Sequence, residues 1–546
     1  MNWVLIPARR GSKGVPGKNT RLLAGVPLIT YAYAAAARAF GAEAIVVSTD
    51  EPAVARLAPD GATVIERPAG LAGDATTLDE VATAVARELI SRGALADDVL
   101  LTVQPTSPFI EPDSLRRAAA MMHDGAGSVL SVTDDRHLRW TLVDGVAEPL
   151  FTERVNRQWL APTFAETGGV IAARLGAVAE QGTRILEPVE LLELDAVEAL
   201  DIDTFADWAV AEHFAARRSI VIRADGAPTL GMGHVYRALA LEHALAAHDL
   251  VIVTRGDGDH ALGADFLEGA SSRVVRIADE EAFFALLAER EPDVVVLDIL
   301  DTERAYVERV KAHAGWTVCI EDLGEGSHVA DLVINDLYTD FYPRENHWYG
   351  VQYALLGPQF EATPAREGVA SEVQRVLVTF GGSDPCDLTR LALSALAQCA
   401  FAGEIVCVLG PGYSHDDFEL AEFGLTGSVH RAATNLAEIM HDSDIALTSA
   451  GRTVTELMTQ GVPTLALCQN ERELTHTHAS GPFGVMNLGL GAHVTVDGLA
   501  GHLAVLMEDE RLRRSMHDRM RKAVAERSNH AIAEMILASA SERGDA

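Results

Sequence analysis

The chain has 546 residues, 48% of them hydrophobic and 23% charged, which suits two to four domains with large cores and argues against disorder. Its formal net charge of −35 argues against general nucleic-acid binding. No apolar stretch approaches the roughly 18 residues of a membrane span, and the five cysteines (Cys319, Cys386, Cys399, Cys407 and Cys468) form no CxxC pair, so neither a disulfide framework nor a zinc site is suggested and a reducing cytoplasm fits.

Residues 3–7 read as a buried strand, and Arg9, Arg10, Gly11, Ser12, Lys13, Gly14, Gly17 and Lys18 follow in a basic, glycine-rich turn. The start has no charged leader and few apolar residues before Pro7, which is unlike a signal peptide. The first acidic residue is Glu43, where a flat composition would place about 6 carboxylates in the preceding segment. Small residues let backbone N–H groups approach an anion, and the unopposed cations make a local positive field in a negative chain. The turn is not a Walker A loop, because five residues separate Gly11 from Gly17 and Asn19 follows Lys18.

Further along, 28–40 reads as an Ala-rich helix, 44–49 as a strand and 77–91 as a helix, the rhythm of a parallel βαβ sheet. Residues 99–103 form a strand stopped by Pro105 and Pro108, which fixes Gln104 at its carboxyl end, the edge where open α/β sheets bind ligands. If 199–203 are extended, Asp201 and Asp203 share one face while Ile202 turns into the core, and Thr204 with Asp207 resembles a capping box. Adjacent carboxylates suit Mg²⁺, which takes one or two carboxylates plus substrate phosphates. The alternative is that they only cap the helix and solubilise the surface.

The pieces Ile6-Pro-Ala8-Arg9 through Asn19, Val47-Ser-Thr-Asp50, Gln104-Pro-Thr-Ser-Pro108, Arg157-Gln158 and Leu200-Asp-Ile-Asp-Thr204 come in the order seen in the acylneuraminate cytidylyltransferases. The resemblance covers about 1–215. It implies transfer of CMP from CTP to the anomeric hydroxyl of a nine-carbon 2-keto (nonulosonic) sugar acid, with pyrophosphate released. It also implies that Ala8, Arg9, Gly11, Ser12, Lys13 and Lys18 hold the nucleotide, with Arg9 and Lys18 acting in catalysis. Asp201 and Asp203 would hold Mg²⁺, Gln104 and Gln158 would contact the sugar, and Arg157 would receive its carboxylate. Arg10 departs from the family, where that position is small.

After the short helix 206–217, residues 219–225 begin a new strand, and Gly231-x-Gly233-His234 opens a helix. A helix N-terminus disfavours imidazolium, so His234 is expected neutral and able to accept a proton. Buried strands follow at 293–298 and 317–322, a polar linker spans 361–374, and a second sheet starts at 375. Two Rossmann-like lobes with a cleft between them make a GT-B architecture. This half resembles the nucleotide-sugar hydrolase of pseudaminic acid biosynthesis and its spore-polysaccharide relatives. The resemblance is carried by Arg223-Ala-Asp225, Gly231-x-Gly-His234-x-x-Arg237, Glu321-Asp322, Phe380-Gly-Gly-Ser383-Asp384, Gly451-x-Thr453-x-x-Glu456 and Gln469-Asn470. It implies His234 as the base that activates water against the sugar C1 of a UDP-sugar, expelling UDP. Gly382, Ser383, Gly451, Arg452 and Thr453 would hold the diphosphate, Glu456 the ribose, and Asp225, Gln469 and Asn470 the substrate. Two departures bear on activity: Asp298 is followed by Ile299-Leu300 instead of His-Tyr, and Arg452 replaces a small turn residue. His476 and His478 look like a metal pair, but no third ligand is in view, which points instead to a loop or dimer contact.

The expected organisation is therefore α/β throughout. A Rossmann-like nucleotidyltransferase domain at 1–217 precedes a GT-B-like pair, with a first lobe at 218–362 and a nucleotide-binding lobe at 373–546. The expected activity is twofold, with a glycosyltransferase-like or catalytically silent nucleotide-sugar module as the alternative for the second half. The expected partners are CTP, a nonulosonic acid, a UDP-sugar and a second copy of the N-terminal domain, in the cytoplasm, with no nucleic acid or membrane.

Overall fold

The structure is a computed structural model that describes residues 1–11, 14–73, 75–227, 230–339 and 344–541. The chain divides into two compact units, Met1–Arg217 and Arg218–Ala546. No helix among the described residues is long and apolar enough to cross a membrane.

The first unit is built on a seven-stranded sheet in the order Val189–Glu193, Ser128–Asp134, Phe164–Arg174, Val99–Val103, Asn2–Ala8, Ile45–Thr49, Thr63–Glu66. Phe164–Arg174 runs antiparallel to both its neighbours, and the other adjoining pairs are parallel. Asn2–Ala8 and Val99–Val103 are near-continuous apolar runs because helices cover both faces. Ile29, Ala32, Leu115 and Met122 pack on one face, and Val85, Leu89, Leu175 and Val178 on the other. The Leu78–Ser91 helix starts at a capping box between Thr77 and Glu80, and Phe205–Ala215 at the one between Thr204 and Asp207. Residues 201–203 join no ladder, but the alternation holds: Ile202 is fully buried while Asp203 is exposed.

The second unit contains two all-parallel sheets. In the first lobe the order is Val274–Ile277, Asp249–Arg255, Ser219–Ala224, Val294–Asp298, Trp316–Ile320, Leu332–Asn335, His347–Tyr349. In the second it is Thr426–Arg431, Glu404–Leu409, Arg375–Thr379, Ile445–Ser449, Thr464–Cys468, Val485–Leu490. Each sheet reverses direction beside its own first strand. That is the doubly wound pattern, and its switch point is where ligands bind. The lobe limits differ from those expected. The final helix, Asn529–Ser541, sends Ile532, Ala533 and Ile536 into the first lobe's core beside Ile220 and Leu241. Ala354, Leu356 and Phe360 conversely pack with Leu377 and Val406 of the second lobe. The reason is apolar pattern: each segment carries residues that only the opposite lobe can bury.

Candidate active sites

In the first unit, Asn2–Ala8 and Val99–Val103 pair directly, so the turn after Ala8 and the turn at Gln104 emerge side by side at the switch point. The basic turn is anchored inward. Asn19 Nδ2 donates to the Arg9 carbonyl at 3.2 Å, and the Arg10 N–H donates to Asp50 Oδ1 at 2.8 Å. Ile202 N donates to the Thr106 carbonyl at 2.8 Å, which pins the aspartates to the proline turn. Lys18 is buried and closes the arrangement: its ammonium donates to the Ile202 carbonyl and lies 3.3 Å from Asp203 Oδ1. Gly14 is required there, because a Cβ on it would lie 2.0 Å from the Asp203 carbonyl oxygen. Gly168 is required for the same kind of reason: Gln104 Nε2, donating to its carbonyl at 2.9 Å, occupies the space of a side chain.

The structure thus brings Lys18, Asp201 and Asp203 together, with Arg9 held to the same turn through its carbonyl. Ser12 and Lys13 lie outside the described residues. Arg157 and Gln158 sit on an exposed 3₁₀ turn, with Arg157 donating to the Asp134 carbonyl at 3.5 Å. Arg139 is exposed and paired with Asp135. Arg67 was not singled out in the sequence. It is buried, donates to the Ser48 carbonyl at 2.9 Å, and feels both Asp50 and Arg9. Its only sequence signal is a cation directly after a short strand.

Asp201 bears on metal binding. Burial raises its carboxyl pKa although Thr106 hydrogen-bonds to it, and its Oδ1 is buried with no hydrogen-bond partner. An unsatisfied carboxylate oxygen next to a second carboxylate fits a divalent cation. Among the described residues no cluster of three or more such side chains forms a complete protein cage, so phosphate oxygens would have to supply the remaining ligands.

In the second unit the two lobes face each other across a cleft with about 1350 Å³ of empty space. Sheet register explains its contents. Ala224 pairs with Asp298, so the loop leading to His234 opens beside that carboxylate; Thr379 pairs with Thr448, so the turns at Gly381–Ser383 and Gly451–Thr453 meet on the other side. His234, Gly382, Ser383, Gly451, Arg452, Thr453, Glu456, Gln469 and Asn470 all line the cleft. Asp225 does not. It is buried, accepts from the Arg255 N–H at 2.8 Å and pairs with Arg223, so its expected substrate contact gives way to a structural role.

His234 is buried at the first turn of Gly233–Ala244, with Nδ1 2.5 Å from Asp298 Oδ1. Arg237, one turn on, grips both oxygens of Asp298 at 2.6 Å and reaches Glu321 at 2.9 Å and Asp336 at 3.3 Å. Burial pushes the Asp298 carboxyl up, but Arg237 and His234 outweigh it and hold the group well below the usual carboxylate range. An ionised Asp298 can only accept, so Nδ1 donates to it, with Arg237 Nη2 also 3.2 Å from that nitrogen, and Nε2 is the ring nitrogen that takes no part in the pair. The sequence marked His234 but not this partner, which lies 64 residues away.

Arg452 turns its guanidinium to the Leu355 carbonyl and to 3.8 Å from Asp336 of the opposite lobe, while its Nη1 is buried with no hydrogen-bond partner. Burial raises the Glu456 carboxyl to about 7, against the pull of Arg452. It does the same to Glu473, although that carboxylate accepts from the Gln469 and Ala450 N–H groups at 2.8 and 3.2 Å. Gln469 Nε2 donates to Asp384 at 2.7 Å, and Asn470 Oδ1 accepts from the Glu473 N–H at 3.0 Å. His476 and His478 are not arranged as a metal pair: His476 Nδ1 meets the Ala450 carbonyl at 2.9 Å, and the two nitrogens of His478 meet the carbonyls of Leu337 and Gly451 at 3.2 and 3.1 Å.

A cytidylyltransferase family profile matches residues 3–137. The CMP-N,N'-diacetyllegionaminic acid synthase of Legionella pneumophila is 36% identical over 220 residues, 38% of this chain and 93% of that protein. The spore coat polysaccharide biosynthesis protein SpsG of Bacillus subtilis is 25% identical over 312 residues, 54% of this chain and 91% of that one. An uncharacterized protein of Methanocaldococcus jannaschii is 28% identical over 274 residues, 46% of this chain, and the chain spans 56% of its length. Among solved structures, MurG of Acinetobacter baumannii matches 59% of the chain and 99% of its own length with 15% identity and a TM-score of 0.44.

Proposed function

Because the chain belongs to the cytidylyltransferase family through its first unit, we propose that this unit transfers CMP from CTP to the anomeric hydroxyl of a nonulosonic acid. The observation that supports the reading is the buried Lys18, which ties the carboxylate-free basic turn to the Asp201–Asp203 pair. In the reaction the sugar O2 bonds to the α-phosphorus while the bond to pyrophosphate breaks. The hydroxyl proton leaves, and charge accumulates on the departing pyrophosphate. Arg9, at the end of the first strand, and Lys18, in the turn that follows it, would neutralise that charge. Catalysis is mainly positioning and electrostatic stabilisation. Asp201 and Asp203 would hold Mg²⁺, whose charge lowers the repulsion among phosphate oxygens. Gln104, fixed by Gly168, would contact the sugar.

The second unit, on the same reading, acts on a UDP-linked amino sugar. His234 Nε2 takes a proton from water as the water oxygen bonds to C1 and the C1–O bond to UDP breaks. Asp298 and Arg237 hold the imidazole in the tautomer that can do this. The Gly381–Ser383 and Gly451–Thr453 turns offer backbone N–H groups to the diphosphate. Leu300, with φ of 67°, occupies the place where the resembling hydrolase family carries a Tyr, which favours a second reading in which a sugar hydroxyl replaces water as acceptor.

The first unit would also pair with a second copy. Its Trp140–Val143 and Val146–Pro149 hairpin exposes Leu142 and Val146, and Trp159 is exposed as well.

Pyrophosphate release from CTP with a panel of nine-carbon keto acids tests the first activity, and Asp203→Ala should abolish it; undiminished turnover would remove the metal assignment. UDP release from UDP-sugars, with and without added sugar acceptors, separates hydrolysis from transfer. Sedimentation of Leu142→Asp reports on self-association.

A further inference from the structure

The segment after the strand Thr464–Cys468 is held by both lobes. Arg472 donates to Asp301 at 2.8 Å and to the Glu321 carbonyl at 3.2 Å, and Thr477 Oγ1 accepts from the Thr339 N–H at 2.6 Å. His476 sits in this clamped segment and is 7% exposed. The Tyr338 ring stands edge-to-face against it, with centroids 5.4 Å apart. A carbonyl oxygen can only accept, so the 2.9 Å contact with Ala450 assigns the imidazole proton to Nδ1. Burial disfavours the charged ring, which keeps Nε2 a lone-pair acceptor. That nitrogen is buried and has no hydrogen-bond partner.

Such an atom in a built, polar pocket calls for a donor. His476 lines the cleft, and the Glu321 carboxylate feels both His234 and His476. His476 therefore stands at the end of the cleft that holds the His234–Asp298 pair. A diphosphate offers no N–H or O–H donor at neutral pH, whereas a sugar ring offers hydroxyls and, when amidated, an N–H. Resting on the reading of the cleft as a UDP-sugar site, we propose that His476 is a specificity-determining residue whose Nε2 accepts a hydrogen bond from a hydroxyl or amide N–H of the sugar. Its neighbours make the role selective. A ligand without the donor leaves the nitrogen unpaired, and an unpaired buried acceptor discriminates more strongly than a lost apolar contact.

The test is calorimetric titration of the full chain with UDP and with UDP-N-acetylglucosamine, for the wild type, His476→Phe and His476→Gln. Loss of one hydrogen bond to a buried acceptor is worth about a tenfold change in affinity. The Phe variant should therefore bind the UDP-sugar about tenfold more weakly while its UDP affinity stays within about twofold, which also reports that it is folded. The Gln variant, which restores an acceptor oxygen, should recover part of the loss. Equal UDP-sugar affinities in wild type and Phe variant would mean that Nε2 meets only water, and the inference falls. Parallel weakening of UDP and UDP-sugar would make His476 a merely structural residue. A wild type that binds neither nucleotide would remove the reading of the cleft itself, and the inference with it.

Discussion

Replacing Glu456 by Gln should stabilise the second unit at alkaline pH and leave it unchanged at acid pH. Glu456 lines the cleft on the helix Thr453–Gln460, where burial raises its carboxyl from 4.5 to about 7 and Arg452 only partly offsets the effect. The folded state therefore binds this proton more tightly than the unfolded chain. Below the unfolded value both states are protonated and nothing is lost. As pH rises from 4.5 through about 7 the fold must ionise a group it disfavours, and stability declines. The full shift corresponds to roughly 3 kcal/mol, and water in the open cleft reduces it to about 1–3 kcal/mol. An amide of the same shape has no charge to desolvate. Calorimetric scans at pH 5 and pH 8.5 should show coincident midpoints at the lower pH and a rise of about 2–4 °C for the variant at the higher one. Wild-type and Glu456→Gln midpoints that run parallel across the range would refute the argument, because the carboxyl would then titrate like an exposed one. A carboxylate retained at the expense of stability is what a ligand site requires, so the stabilised variant should also lose UDP affinity.

The opposite sign is expected of the buried His478, whose imidazole burial lowers from 6.5 to about 4 although the Gly451 and Leu337 carbonyls favour its charged form. Its contribution is complete above pH 6.5 and is lost as pH falls toward 4, by about 3 kcal/mol, so His478→Gln should flatten the acid side of the stability profile; an unchanged slope would contradict it. Gly14→Ala drives a Cβ into the Asp203 carbonyl, where only backbone movement relieves the 2.0 Å approach. Displacement of about 1 Å near reacting groups reduces rates by about a hundredfold, so pyrophosphate release should fall by that order while UDP release persists; undiminished cytidylyl transfer would show that the turn and the aspartates do not act together. Asp298→Asn replaces one acceptor oxygen by a donor facing Arg237 or His234. Stability should drop by about 3–5 kcal/mol and UDP release by about 10²–10⁴-fold, and wild-type turnover would show that His234 is not the base.

Local signals made much of this architecture legible. An apolar run ending in a glycine-rich turn announces both its strand and its switch point, which is why the turn after Ala8, the His234 loop and the Gly381–Ser383 turn could all be placed from sequence. Pairing between distant residues carries no such signal. Asp298 reads as the polar end of a buried strand, and only the register against Ser219–Ala224 turns it into the partner of His234. Arg452 reads as a cation for phosphate, and only the approach of the opposite lobe gives it Asp336 and Leu355. Asp225 reads as a substrate ligand until Arg223 and Arg255 claim it. The same logic explains His476. In sequence it is one of two histidines spaced like metal ligands, and its neighbour His478 has both nitrogens taken by backbone carbonyls of different lobes. That neighbour fixes the segment, Ala450 fixes the His476 tautomer, and His476 Nε2 remains unsatisfied. Chemistry that depends on which atom has no partner is set by tertiary packing. Motifs locate the ends of strands, but the proposed selectivity among sugars would rest on contacts like this one, which no local pattern encodes.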